Sequence, residues 1–256
     1  MIRKYSFLCT VVVVFLAAFS GTAFMQTPPH VEIKPVIKVS KVKYFTGELV
    51  EVDVFFENNG SGVATLYGIP RQDAGTLSFR ISTDNKEYRL YRPAGYSRSD
   101  IKELPIELRP GTSLKTSAAI LWNDTARSKH LNSRASDELT TPYAFPKPGV
   151  YFLKASFVTY NAGVPTFVDS EPIAITVEEP LGEDLEVWNR IKNDGDFAYF
   201  LQEGNTQPQI YDPNLRTAFQ REVEDILQKY PGSIYAAPLR RSLEKFKSRE
   251  TIRNPN

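Results

Sequence analysis

From residue 31 onward the chain alternates apolar and polar side chains in short runs, and this pattern limits its fold more tightly than any other feature. Val50, Val52, Val54 and Phe56 alternate with Glu51, Asp53 and Glu57. That is the period of a strand with one face buried and the other in water. The run stops at Asn58-Asn59-Gly60-Ser61-Gly62, a cluster of turn formers. The alternation recurs at Val31, Ile33, Ile37 and Val39, at Leu77, Phe79 and Ile81, at Tyr88 and Leu90, and at Ile106 and Leu108. It continues through Leu114, Ala118, Ile120 and Trp122, then Tyr151, Leu153, Ala155 and Phe157, and last Ile173, Ile175 and Val177. Short strands broken by Gly, Pro and Asn, with no helical period between them, predict a mostly β fold. The expected architecture is an antiparallel β-sandwich over residues 31–179.

Beyond Glu178-Glu179-Pro180-Leu181-Gly182 the period changes. Leu185, Trp188 and Ile191 fall three apart, Phe197, Phe200 and Leu201 follow after Asn193-Asp194-Gly195, and Asp212-Pro213 opens the stripe Leu215, Phe219, Val223, Ile226, Leu227, Tyr230. Pro231-Gly232 ends that stripe, and Tyr235, Leu239, Leu243 and Phe246 form a last one. These spacings predict a small α-helical C-terminal region over residues 183–250.

At the other end, residues 1–6 carry Arg3 and Lys4, residues 7–19 are apolar, and Ser20, Gly21, Thr22 and Ala23 follow. This is the pattern of a signal peptide over residues 1–23, cleaved near Ala23, with residues 24–30 as a linker. An uncleaved anchor is the alternative, because residues 7–25 are long enough to span a bilayer; membrane contact is expected only through this segment. Cys9, the one cysteine, lies inside it, so the mature chain has neither a disulfide nor a cysteine-held zinc. With 31 basic and 30 acidic residues, the chain lacks the electrostatic footprint of a nucleic-acid binder. An exported chain without cysteine relies on its core alone, which points to a secreted or periplasmic protein of a bacterial envelope.

Pro148-Gly149-Val150-Tyr151-Phe152-Leu153-Lys154-Ala155 resembles the penultimate strand of immunoglobulin-like and fibronectin-type domains in their cysteine-free bacterial form. The resemblance spans roughly residues 31–179 and implies that Tyr151 is a structural corner. Its hydroxyl would bond back to the preceding turn, with Leu153 in the usual cysteine position. The order Asn58-Asn59-Gly60, Leu108-Arg109-Pro110-Gly111, Trp122, then Pro148-Gly149-Val150-Tyr151 is similar to bacterial subtilisin-inhibitor-type domains, which implies a loop that enters a protease cleft. Tyr230-Pro231-Gly232-Ser233-Ile234-Tyr235-Ala236 resembles the boundary between tetratricopeptide-type hairpins. One hairpin of about 35 residues is too short to stack on itself. The tail therefore either packs on the strands, with Trp188, Phe197 and Phe200 as anchors, or offers its stripe to a partner.

Candidates for chemistry are few. There are two histidines. Around His130 a Ser/His/Asp set can be written from Ser128, Ser133, Asp124 and Asp137, without the G-x-S-x-G elbow of many hydrolases. Glu51, Asp53 and Glu57 read as a solvated strand face, and Asn193-Asp194-Gly195-Asp196 as a turn that starts a helix rather than a calcium hand. No cofactor or metal is expected. Two long polar connections are the better candidates, since long loops in compact domains commonly bind. Residues 91–102 hold Arg92, Tyr96, Arg98 and Asp100; residues 123–141 hold Arg127, Lys129, His130 and Arg134. Arginine and tyrosine among small residues suit a recognition surface, so Arg92, Tyr96, Arg98, Arg127, His130 and Arg134 are the expected binding residues if both connections leave one end of the sandwich. The expected function is a non-catalytic exported binding or assembly protein with a protein or glycan partner in the envelope. The alternatives are proteinase inhibition through a long loop, and hydrolysis centred on His130.

Overall fold

The computed structural model describes residues 30–93, 104–124, 141–161, 164–205 and 213–253; residues 1–23, where the sequence predicts a signal segment, lie outside them. Within these residues eleven strands come first: β1 (Ile33–Val39), β2 (Lys43–Phe45), β3 (Val50–Asn58), β4 (Ala64–Leu66), β5 (Leu77–Ser82), β6 (Arg89–Tyr91), β7 (Ile106–Leu108), β8 (Ser113–Ile120), β9 (Gly149–Asn161), β10 (Val164–Asp169) and β11 (Ile173–Glu178). Among the described residues four helices follow: α1 (Glu183–Ile191), α2 (Gly195–Glu203), α3 (Pro213–Lys229) and α4 (Ala236–Arg253). The chain is β-rich with a helical C-terminal region, whose helices run from Glu183 to Arg253 against the expected 183–250. Among the described residues no helix is long and apolar enough to cross a membrane.

The strands form a three-stranded sheet in the order β1-β3-β8, a six-stranded sheet in the order β2-β11-β9-β5-β6 with β10 also on β9, and the pair β4-β7. All pairings are antiparallel except β2 on β11, which is parallel, a departure from the all-antiparallel expectation. The alternation explains the register. Val52 faces Val39 and Ala118, and Val54 faces Ile37 and Thr116, so β3 sends one apolar row inward. Val50, Val52, Val54 and Phe56 share a single buried cluster with Leu77, Phe79 and Ile81 of β5 and Leu153, Ala155 and Phe157 of β9. Phe56 and Phe157 meet edge to face at 4.9 Å between the two sheets.

A second cluster forms where Leu121, Trp122 and Tyr143 from the strand region join all four helices. α1 begins with Glu183, Asp184 and Glu186 in its first turn, where the helix dipole favours negative charge. α2 is capped by Asp194, whose side chain accepts from Asp196 N at 2.8 Å, and it ends at Gly204 in the left-handed region. Trp188 anchors the helices as expected, lying edge to face on Tyr143 at 5.0 Å. Phe197 and Phe200 instead turn inward within the helical layer, against Phe219 at 4.8 and 5.2 Å. The helical stripe, apart from the exposed Leu215, is thereby covered by the chain's own residues.

Candidate functional site

The two long connections leave the fold from one place. β6 ends at Tyr91, β8 at Ile120, and Asn123 ties the segments that follow them. Its side-chain oxygen accepts from Arg92 N at 2.9 Å, and its amide donates to Thr141 O at 2.9 Å. Asp124 N donates to Arg92 O at 2.9 Å, and Asn123 N to Pro142 O at 2.8 Å. Asn123 is 2% exposed; a buried amide that bridges three chain segments satisfies groups that would each be costly to leave unpaired. The two ends of the second connection are thus bonded to each other, and its start is bonded to the start of the first.

A helix holds this root from beneath. Gln202 on α2 accepts through Oε1 from Trp122 N at 2.8 Å and Leu121 N at 3.1 Å, with Tyr91 OH at 2.9 Å. The Tyr91 hydroxyl also lies 2.8 Å from Trp122 O. Burial pushes the Tyr91 phenol well above its ordinary value, so it stays a protonated donor. Tyr199 sits edge to face on Trp122 at 5.1 Å, and burial raises its phenol too, with Glu203 adding to the effect.

Glu203 is the titratable group of interest at the root. Burial holds its carboxyl above the ordinary 4.5; Gln202, Arg249 and Lys245 oppose that rise, and Asp73 adds to it. The folded chain therefore keeps this proton more tightly than the unfolded chain does. The stability Glu203 contributes is complete below the unfolded value and is lost as pH rises through the folded one. Replacing Glu203 with glutamine keeps an oxygen for Gln202 and removes the charge. Its urea midpoint should match the parent chain near about pH 4 and exceed it increasingly above that; an offset that does not change with pH rejects the assignment.

Of the residues expected from sequence, Arg92 lies at the root, held through its backbone. Tyr96, Arg98, Arg127, His130 and Arg134 lie outside the described residues. Tyr151 on β9 donates its hydroxyl to Lys147 O at 2.8 Å. Two carboxylates of β3 are engaged on the outer face: Asp53 pairs with Lys115 at 2.7 Å and accepts from Ser117 at 2.6 Å, and Glu51 lies 3.5 Å from Arg241. Those bonds from Lys115 and Ser117 hold the Asp53 carboxyl below its ordinary value. Among the described residues no group of three or more His, Cys, Asp or Glu is placed to hold a metal. In the sequence Asn123 stands as the start of a loop and in a formal Asn123-Asp124-Thr125 glycosylation triplet, neither of which signals this bridge, and no motif flags Gln202 or Glu203.

No protein-family model matches the chain, and no curated protein matches it. Among solved structures, a β-glucosidase from Erythrobacter marinus aligns at 14% identity and a TM-score of 0.27, over 58% of this chain and 16% of that one. The CARDB domain of a Pyrococcus furiosus protein aligns at 15% identity and a TM-score of 0.26, over 59% and 96%. A sporulation control protein from Bacillus subtilis aligns at 15% identity and a TM-score of 0.30, over 63% and 55%. The chain thus spans only a small part of the glucosidase and about half of the sporulation protein. Likenesses this weak decide neither fold family nor activity.

Proposed function

We propose that the protein is a non-catalytic, exported binding or assembly protein of the cell envelope, which captures a protein or glycan partner with its two long connections. The Asn123 bridge carries this reading, because it bonds the roots of both connections into one platform. A clamped root reduces the ordering cost that a loop meets on binding. At this platform Asn123, Gln202 and Tyr91 are engaged with backbone groups, an arrangement suited to rigidity rather than bond-making. Export rests on the signal pattern of residues 1–23.

The same proposal takes residues 31–179 as an immunoglobulin-like β-sandwich and residues 183–250 as a helical region. Supporting it are the shared core of the β1-β3-β8 and β2-β11-β9-β5-β6 sheets, the Tyr151 hydroxyl bonded back to Lys147 O, and Leu153 fully buried where related domains place cysteine.

The test is a crosslinking pull-down from native envelope with three baits. Joint alanine replacement of Tyr96, Arg98 and Arg127 should abolish capture of the partner held by the parent chain without lowering the melting temperature. Replacing Asn123 with alanine should weaken capture about tenfold and cost about 1–3 kcal/mol of stability, because Arg92 N and Thr141 O lose their partner. Capture profiles identical across the three baits would remove the proposal.

A further inference from the structure

Below the root, where the strand region meets α1, lies an open cleft of about 490 Å³. That volume is within the range of small-molecule sites. Its walls come from the proline-rich segment Thr141, Pro142, Tyr143, Pro146, Lys147, Pro148 on one side and from Trp188, Lys192 and Asn193 on the other. Tyr143 fixes the two walls together, since its hydroxyl donates to Ile191 O at 2.8 Å. Pro142, Pro146, Pro148 and the exposed edge of the Trp188 indole supply the apolar part of the lining.

Its polar groups are unequal in kind. Lys147, Lys192 and Asn193 bring N–H donors, whereas Glu179 is the one carboxylate among the described lining residues. Lys192 Nζ lies 2.6 Å from Asn189 Oδ1, which engages one of its three N–H groups and leaves two. Thr46 also lines the cleft; it is 1% exposed, and its hydroxyl has no hydrogen-bond partner among the described residues. A buried hydroxyl without a partner is uncommon in a native fold and calls for one. By contrast, the neighbouring depression of about 340 Å³ across the 141–148 segment sets Asp84 and Glu87 against Arg89 and Lys147, so its charges are balanced.

We infer that the cleft between the 141–148 segment and α1 binds an organic carboxylate. The carboxylate would lie between Lys147 and Lys192 and the apolar body of the ligand on the Trp188 and proline wall. Two ammonium groups against one carboxylate select an anion, and the apolar walls select an organic one over a bare inorganic ion. This site is independent of the partner-binding proposal above.

Titration of the ¹⁵N-labelled full chain with benzoate tests it, read by amide chemical shifts. Saturable shifts centred on Thr46, Tyr143, Lys192 and Asn193, with a Kd of about 1 mM or below, are expected. Uncharged benzamide and inorganic phosphate should each bind at least about tenfold more weakly, because each lacks one of the two features. The exposed double variant Lys147→Gln/Lys192→Gln should lose about tenfold in benzoate affinity. Thr46→Val should also weaken benzoate binding while melting at the same temperature or higher. Benzoate binding unchanged in the double variant, benzamide or phosphate equal to benzoate, or no saturable shift with benzoate overturns the assignment.

Discussion

Replacing Trp188 with alanine is expected to destabilise the chain by about 3–5 kcal/mol, the range for removing a large buried aromatic, and to loosen strands and helices together. The indole sits at the contact between the two cores. It packs on Tyr143 of the strand region and stacks at 6.4 Å on Tyr235, just before α4. The Tyr235 hydroxyl in turn donates to Thr46 O, and burial raises its phenol well above the ordinary value. Urea unfolding followed by hydrogen exchange should show β3 and α1 amides opening in one transition. Two separated transitions in the parent chain would refute the coupling.

The same contact explains Gly47. It has φ +74, and a Cβ built on it would lie 2.2 Å from Trp188 Cζ3. Gly47→Ala therefore combines a left-handed backbone cost of about 1–2 kcal/mol with overpacking of about 1–3 kcal/mol. In the Trp188→Ala background the second part should vanish, so the double variant should be more stable than the two single losses added together.

How much of this was legible in the sequence follows from where each contact lies along the chain. β3 and β9 were readable because one face of each enters the core, so Val50, Val52, Val54 and Phe56, or Leu153, Ala155 and Phe157, alternate with neighbours that are polar except for Phe55. β2 and β4 have three residues each, too few to establish a period. β10 places Phe167 outward at 70% exposure, so its apolar residues do not mark an inner face. Trp122 continued the alternation of β8 on paper, yet the strand ends at Ile120 and the indole joins the helical core.

The helices were legible through their three-and-four spacing, Trp188 as an anchor included. The direction of Phe197 and Phe200 was not, because period alone does not say which neighbour covers an apolar stripe. The root was the least legible part. Asn123 bonds to Arg92, 31 positions away, and Gln202 to Trp122 and Tyr91 across 80 and 111 positions. A single glutamine or asparagine carries no periodic signal of such a contact.

Asn58→Ala is expected to cost about 2–4 kcal/mol while leaving partner capture intact, and this separates stability from function. Asn58 is fully buried. Its amide donates to Gly62 O and Leu108 O, both at 2.8 Å, and its oxygen accepts from Gly60 N at 3.0 Å. Alanine leaves all three partners to find water or go unpaired, at about 1–3 kcal/mol for each that stays buried. The backbone of Asn58 adds bonds from Gly111 N at 2.9 Å and to Thr112 O at 3.1 Å. The Asn58-to-Gly62 turn and the Arg109-to-Thr112 turn, which resembled separate inhibitor-type signals in the sequence, are therefore one bonded unit.

The position of that unit makes the comparison informative. β3 pairs with β8 so that Glu57 lies opposite Ser113 and Val50 opposite Ile120. Asn58 thus closes one end of the sheet, and Asn123 sits beyond the other. Two buried asparagines of similar bonding should respond differently: loss of Asn58 should lower the urea midpoint and spare the pull-down, whereas loss of Asn123 should weaken both. Asn58→Asp sharpens the test. The aspartate has the same shape, but it replaces the donor facing Gly62 O and Leu108 O with a buried anionic oxygen, so its loss should exceed that of alanine. An aspartate variant as stable as the parent at neutral pH would contradict the donor assignment, and a pull-down abolished by Asn58→Ala would contradict the division between the two ends.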